Sequence, residues 1–359
     1  MNQRLQIGCV FIITHLSLGF LQYPFLVYLL TNTGHWEVVL SQGLLHLILI
    51  CIYFNGLKYF PNNDVTDIFL KIGRWVAIIV LIPFVFNMTA LISLNMRSHT
   101  EAINTIFLPR TPSWSVLVLL FVLSVYTAIK GISTILRSSV IIFSLVILLG
   151  LFIIITSIVN IDFRNASPVS HVSTNFFLDI NFFYFMGFSS FLFLGFVPSR
   201  SNNTFRFIFV TWACVMLFFL IFVYIPLFIF GQETVITFPQ PVIVAIDTID
   251  TNWFIFNRQT MFFGISLVGF TIIYNAVMLW MIGSIMKKLF KWHESKYWII
   301  AFSLIAIIFS LSVPNQSMNG KYLLWSTGAH VFSMIIIPFS IFIYGVLLGR
   351  RVTKNEKKL

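Results

Sequence analysis

The residues best equipped for chemistry in this chain are few and far apart. Cys9, Cys51 and Cys214 have no CxxC spacing, so neither a metal knuckle nor a dithiol redox pair is spelled out. A thiol in an apolar run reads first as a small buried hydrophobe. The seven histidines show no ligand spacing for a metal either. No nucleophile–base pair can be assembled, so no enzyme and no cofactor is expected. What the chain offers is binding chemistry. His15, His46, Asn87, Asn95, Tyr274, Asn275 and His330 stand inside long apolar runs. There a polar side chain bonds a neighbouring helix, the commoner role, or a solute. Two runs are also interrupted. One carries Leu18-Gly19-Phe20, Gln22 and Pro24; the other carries Gly187-Phe188-Ser189-Ser190, then Leu194-Gly195-Phe196 and Pro198. Unwound turns at mid-membrane depth expose N–H and C=O groups that hold the amine, carboxylate or hydroxyls of a small solute. The plainer alternative is that these glycines let helices approach closely.

The elements that must position these residues are membrane spans. The chain has 359 residues, 58% hydrophobic and 9% charged, against about 25% charged in soluble domains. Ten stretches of 19 residues or more hold no Asp, Glu, Lys or Arg, and the next longest, 165–178, has 14. A spanning helix needs about 20 apolar residues, so ten spans are expected. Helices are read at 6–30, 36–57, 73–97, 113–129, 138–160, 180–198, 205–231, 258–286, 297–313 and 324–348. Thr111-Pro112 opens the fourth. Pro83, Pro226 and Pro338 lie inside the third, seventh and tenth, where they free carbonyls. Residues 161–179 read as a polar loop. In 232–257 the spacing of Val242, Ile243, Ala245, Ile246 and Ile249 suits a short amphipathic helix on the outer surface, with a plain loop as the alternative. Most of the 42 Phe are bulk for packing and lipid. Trp36, Trp75, Trp114, Trp253 and Trp325 sit at span ends, as interfacial aromatics do. A soluble enzyme, a nucleic-acid-binding domain, a secreted disulfide scaffold and a β-barrel are all excluded by this pattern.

The net charge of +11 reports topology. With the N-terminus inside, seventeen of the 22 Lys and Arg fall on the cytoplasmic side and five outside, while four of the 11 acids fall inside and seven outside. That is the positive-inside rule, and it places both termini in the cytoplasm. The basic tail from Arg350 to Lys358 is a stop-transfer anchor with some attraction for anionic membrane lipid. Across all ten spans no Asp, Glu, Lys or Arg lies at mid-membrane. The cavity is therefore electrically neutral, and a proton relay has only His15, His46 or His330 to use.

The ordered set of motifs resembles the B subunits of bacterial spore germination receptors, in the amino acid–polyamine–organocation transporter superfamily. The matching residues run nearly end to end. They begin with Gly19…Pro24, Gly34-His35-Trp36…Leu40-Ser41, Arg97, Leu108-Pro109-Arg110-Thr111-Pro112 and Gly131-Ile132…Arg137. They continue with Gly187…Pro198, Arg258, Phe309-Ser310-Leu311…Pro314-Asn315 and Leu348-Gly349-Arg350-Arg351. The resemblance implies an all-α membrane protein of ten transmembrane helices in two inverted five-helix repeats. It would form one transmembrane domain over 1–359, with the repeats at about 5–160 and 180–349. It implies a role in sensing an amino acid, nucleoside or sugar germinant in the spore inner membrane, beside an A subunit and a C-subunit lipoprotein. Matching cavity positions are Gly19, Asn87, Leu91, Ser189, Tyr274 and Met278, and the helix interruptions and span polarity add Gly187 and Asn275. Many family members carry Glu where this chain has Ser189, and often Glu where it has Asn257. A carboxylate attracts a cationic amine and Ser189 does not, so a neutral or zwitterionic germinant is expected. The competing readings are an amino acid permease and a scaffold or ion-conducting subunit with no ligand of its own.

Overall fold

The computed structural model describes residues 3–170, 175–183, 188–197, 202–248, 260–291 and 294–356. The α-helices are α1 (Gln3–Leu30), α2 (His35–Leu57), α3 (Val65–Ile72), α4 (Arg74–Ile106), α5 (Ser113–Ile129), α6 (Ile132–Ser157) and α7 (Asn202–Phe230). They continue with α8 (Gln232–Val235), α9 (Pro241–Asp247), α10 (Thr260–Phe290), α11 (Ser295–Ser312), α12 (Gln316–Trp325) and α13 (Thr327–Glu356). Between α6 and α7 the described chain is 3₁₀ turns, the longest over Phe188–Gly195.

Among the described residues eight helices are long and apolar enough to cross a membrane, and Ser113–Ile129 and Ile180–Gly195 are shorter apolar segments where two further spans were expected. This is an integral membrane protein. The apolar window of α1 is 94% buried, that of α10 is 72% and that of α6 is 17%. A helix apolar all round and buried all round belongs at the centre of a bundle. So α1, α4 and α10 form the core, and α6 presents a broad face outward. α1 packs mainly on α7, α6 and α10; α4 packs on α10; α2 packs on α13. Trp36, Trp75, Trp114 and Trp325 are exposed near helix ends as expected, while Trp253 lies outside the described residues.

Four expectations change. α1 is not broken at Gly19–Pro24: the helix runs on to Leu30 with Pro24 inside it. Gly19 is used for contact, since a Cβ there would overlap the Phe219 ring of α7. The sixth span, expected as an interrupted helix over 180–198, departs from the α-helix further than that: its described residues are 3₁₀ over Ile180–Phe183 and Phe188–Gly195. Two helices were not expected. α3 is set by a capping box, in which Asp64 accepts from the Asp67 N–H and Asp67 from the Asp64 N–H. α12 starts where the Asn315 side chain accepts from the Met318 N–H. The short helix expected in 232–257 is present as α9, which buries Val242, Ile243, Ala245 and Ile246, while Ile249 lies outside the described residues. Finally, Cys9 is buried, but Cys214 is exposed on the outside of α7 and so is not a core residue.

Candidate functional site

Hydrogen bonds define a neutral polar layer across the three central helices. On α4, Asn95 donates from Nδ2 to Ser17 Oγ of α1 (3.3 Å) and accepts from Asn275 Nδ2 of α10 (3.1 Å). Asn275 Nδ2 also reaches the Thr271 carbonyl at 2.8 Å. One turn further along α4, Ser98 Oγ receives Gln22 Nε2 of α1 and Asn319 Nδ2 of α12, each at 2.6 Å. Asn319 Nδ2 is also 3.2 Å from the Leu94 carbonyl. All of these side chains are buried. Each amide supplies donors and acceptors without charge, so the layer crosslinks helices at low desolvation cost and offers no ion a counter-ion.

The irregular sixth segment lies against α1 and α2. Backbone that leaves the α-ladder inside a membrane must find other partners, and α2 supplies them. Gln42 Nε2 donates to the Phe182 carbonyl (2.8 Å) and Tyr53 Oη to the Leu192 carbonyl (2.9 Å). Tyr23 Oη of α1 donates in turn to Gln42 Oε1 at 2.7 Å. Ser190 Oγ donates to the Thr14 carbonyl at 3.1 Å.

The expected site residues distribute as follows. Asn87, Leu91, Ser189, Tyr274, Asn275 and Met278 are all buried. Leu91 lies one turn from Asn95 on the same face of α4, and Met278 one turn from Asn275 on the same face of α10. Asn87 is eight residues from Asn95, about 12 Å along the axis, so it belongs to a level well below the Asn95–Asn275 contact. Both polar atoms of Asn87, the Tyr274 hydroxyl and Asn275 Oδ1 have no hydrogen-bond partner among the described residues. Gly19 is not an open cavity edge, because Phe219 occupies the space a side chain would take. Gly187 lies outside the described residues. Gln22 was expected only as part of the interruption after Gly19, and sequence reasoning missed Ser17, Ser98 and Asn319. Their only signal is a small polar side chain in or beside a charge-free run, one that dozens of Ser, Thr and Asn share.

The two ends of the bundle differ in chemistry. Where α3 meets the end of α10, Lys288 Nζ lies 2.6 Å from Asp64 Oδ2 and 2.8 Å from Asp67 Oδ2. Burial pushes the Asp67 carboxyl up, but the Lys288 ammonium and the Asp64 hydrogen bonds outweigh it, and the net direction is down. A pocket of about 420 Å³ opens there beside Asn62, Asn63 and Trp280. At the opposite end a pocket of about 260 Å³ is lined by Gln22, Gln316, Ser317 and Lys321. No group of three or more His, Cys, Asp or Glu that would hold a metal ion occurs among the described residues.

The model of a family described as spore germination protein matches residues 3–319. The chain belongs to the spore germination protein family. The spore germination protein YndE of Bacillus subtilis (strain 168) is 25% identical over 135 residues, 37% of this chain and 37% of that protein. The match thus spans little more than a third of that relative. Among solved structures, Mhp1, a nucleobase-cation-symport-1 family transporter in a closed conformation with bromovinylhydantoin bound, superposes with a TM-score of 0.60. Identity is 13%, covering 89% of this chain and 75% of Mhp1. MhsT in complex with L-phenylalanine superposes with a TM-score of 0.62 at 12% identity, covering 95% of this chain and 98% of MhsT. The family chain thus shares the fold of small-solute transporters, and the combination describes a germination-related, permease-like membrane protein rather than an enzyme.

Proposed function

We propose that this chain is the B subunit of a spore germinant receptor. It spans the spore inner membrane ten times in two inverted repeats, with both termini in the cytoplasm. It binds a small neutral or zwitterionic germinant, an amino acid or a nucleoside, between α1, α4, the 188–195 segment and α10. Asn87, Leu91, Ser189, Tyr274, Asn275 and Met278 contribute the site, with Gly187 at the adjoining turn and Gly19 holding α1 close to α7. One observation carries the reading: the Asn87 amide, the Tyr274 hydroxyl and Asn275 Oδ1 are buried donors and acceptors without a hydrogen-bond partner among the described residues. Buried polar groups are costly unless satisfied, and a solute's amine, carboxylate or hydroxyls would satisfy these. Solutes of this size are bound by the two fold relatives, one carrying bromovinylhydantoin and the other L-phenylalanine. Occupancy shifts the bundle between two states, and an A subunit and a C-subunit lipoprotein receive the change. The test is germination of a deletion strain re-supplied with this chain, across a panel of amino acids and nucleosides. Asn87→Leu should raise the half-maximal germinant concentration at least tenfold. An unchanged value would sink the ligand site and leave a scaffold.

The transporter fold of both solved relatives favours a second reading, an amino acid permease. Uptake of labelled solute into vesicles carrying only this chain would select it.

A further inference from the structure

The pocket at the end of the bundle opposite Asp64 and Lys288 is a slot between α1 and α12. Phe25, Leu26 and Leu29 of α1 form one wall, at the i, i+1, i+4 spacing of a shared helix face. Gln316, Gly320, Lys321 and Leu324 of α12 form the other, at i, i+4, i+5 and i+8. α12 itself packs on α4 and α13. Gln22 also lines the slot, and its Nε2 is spent on Ser98 Oγ at 2.6 Å. The volume is about 260 Å³, room for a solute the size of an amino acid.

Three features of the slot differ from plain packing. Lys321 is exposed and takes part in no ion pair among the described residues. Glu101, on the neighbouring α4, is already paired with Arg97 at 2.7 Å. Gln316 Oε1 is buried and has no hydrogen-bond partner among the described residues. Gly320 leaves space: a Cβ built there meets nothing within 4 Å, whereas Gly19 and Gly195 are filled by aromatic rings. The Asn315 cap takes the Met318 N–H, and the Ser317 N–H, in the same first turn, has no partner within the helix. A carboxylate calls for a cation, an ammonium for carbonyl oxygens, and an apolar side chain for a dry wall. The slot supplies one of each, and the central cavity, with no Lys or Arg in its spans, supplies no cation.

We infer that the α1–α12 slot is a second solute site, separate from the central cavity, and that it takes an α-amino acid with an apolar side chain. Lys321 holds the carboxylate, with the Ser317 N–H beside it. Gln316 Oε1 accepts from the ammonium. The side chain lies over Phe25, Leu26, Leu29 and Leu324, in the space that Gly320 leaves open. A nucleoside has no carboxylate for Lys321, and a simple fatty acid has no ammonium for Gln316. The slot therefore selects the zwitterion over either.

The test uses the full chain in phosphatidylcholine nanodiscs, its lysines dimethylated with ¹³C, which keeps their charge. The Lys321 signal is identified by its absence in Lys321→Arg. L-Leucine should move that signal saturably. L-Leucinamide, which lacks the carboxylate, should leave it in place, and 4-methylpentanoate, which lacks the amine, should bind at least about fivefold more weakly. Gly320→Leu fills the slot, meets no neighbour with its Cβ and suits a helix better than glycine. It should abolish the L-leucine shift without lowering Tm. Asn87→Leu, which alters the central cavity, should leave the shift intact. Overturning results are no saturable shift with L-leucine, equal binding of L-leucinamide, or an unaltered titration in Gly320→Leu. Loss of the shift in Asn87→Leu also overturns the inference, because Lys321 would then be reporting the central cavity. If Gly320→Leu does not fold, the three ligands on the wild-type chain and the Asn87→Leu titration decide. Germination is not read, so the receptor reading can fail without touching this result.

Discussion

Replacing Gly19 by alanine separates a packing glycine from a cavity glycine. A Cβ built on Gly19 would overlap Cε1 and Cζ of Phe219. Phe219 is fully buried, and its ring rests on Tyr23 and Phe188 with centroids 4.6 and 5.3 Å away. The ring has aromatic neighbours on the sides to which it would retreat, so the added methyl acts as overpacking, at about 1–3 kcal/mol. Phe219→Ala alone should cost about 3–5 kcal/mol through lost burial and the cavity left behind. In the double variant the methyl at position 19 meets that cavity instead of a ring. The double variant should therefore be more stable than the sum of the singles by about 1–3 kcal/mol. Reversible unfolding of the purified chain in mixed micelles, run on all four members of the cycle, measures this. A Gly19→Ala cost within about 0.5 kcal/mol of zero, additive with Phe219→Ala, would refute the packing argument. It would return Gly19 to the edge of an open site, where the methyl would alter germinant sensitivity and leave stability alone.

Tyr53→Phe removes the donor to the Leu192 carbonyl; stability should fall by about 0.5–2 kcal/mol, with faster hydrogen exchange confined to 188–197. Asn275→Ala breaks the bond to Asn95 but also removes an unpartnered Oδ1, so its unfolding cost should stay below about 1.5 kcal/mol while the half-maximal germinant concentration moves. Asp67 is held below its ordinary value by Lys288 against the push of burial, so its contribution is complete above the unfolded value of about 4 and is lost as pH falls below it. Lys288→Met should lower Tm at pH 7 and shrink the Tm difference between pH 7 and 3.5; an unchanged difference would show that the ion pairs do not hold α3.

Hydropathy and charge made the spans legible because both are local quantities. A run without charges is apolar whatever it touches. The same locality explains what was misplaced. The glycines and Pro198 of the sixth segment announced an interruption, but how far its 3₁₀ path extends depends on Gln42 and Tyr53 of another helix donating to its carbonyls. α3 is eight residues long, too short to register beside membrane-length runs, and its fixing partner Lys288 is 221 positions from Asp67. α4 continues past Arg97 to Ile106 because Arg97 and Glu101 pair at 2.7 Å one turn apart on it. A charge ends a span without ending a helix. Of the site, Asn275 was legible as a polar residue in an apolar run. Asn95, its partner, was legible in the same way. Ser17, which accepts from Asn95, became distinguishable from other polar residues only once α1, α4 and α10 were brought together.

The two Leu-Gly-Phe triplets carry more than their length suggests. Gly19 of α1 is met by Phe219 of α7. Gly195, ending the sixth segment, is met by Tyr53 of α2, whose hydroxyl bonds the Leu192 carbonyl three residues earlier. In each case the first helix of one proposed half gives up a side chain so that an aromatic from the second helix of the other half can enter. Two halves related by an axis through the bundle would produce this crossed exchange, whereas two independent packing accidents would have no reason to pair the same elements both ways. The sequences differ where the exchange differs. Phe219 only fills space, so α1 remains helical. Tyr53 fills space and donates a hydrogen bond, so the sixth segment can leave the α-ladder at that point without an unpaired carbonyl. The same triplet thus sits in a continuous helix in one place and in a 3₁₀ segment in the other, where the Tyr53 hydroxyl donates to a carbonyl that has left the α-ladder.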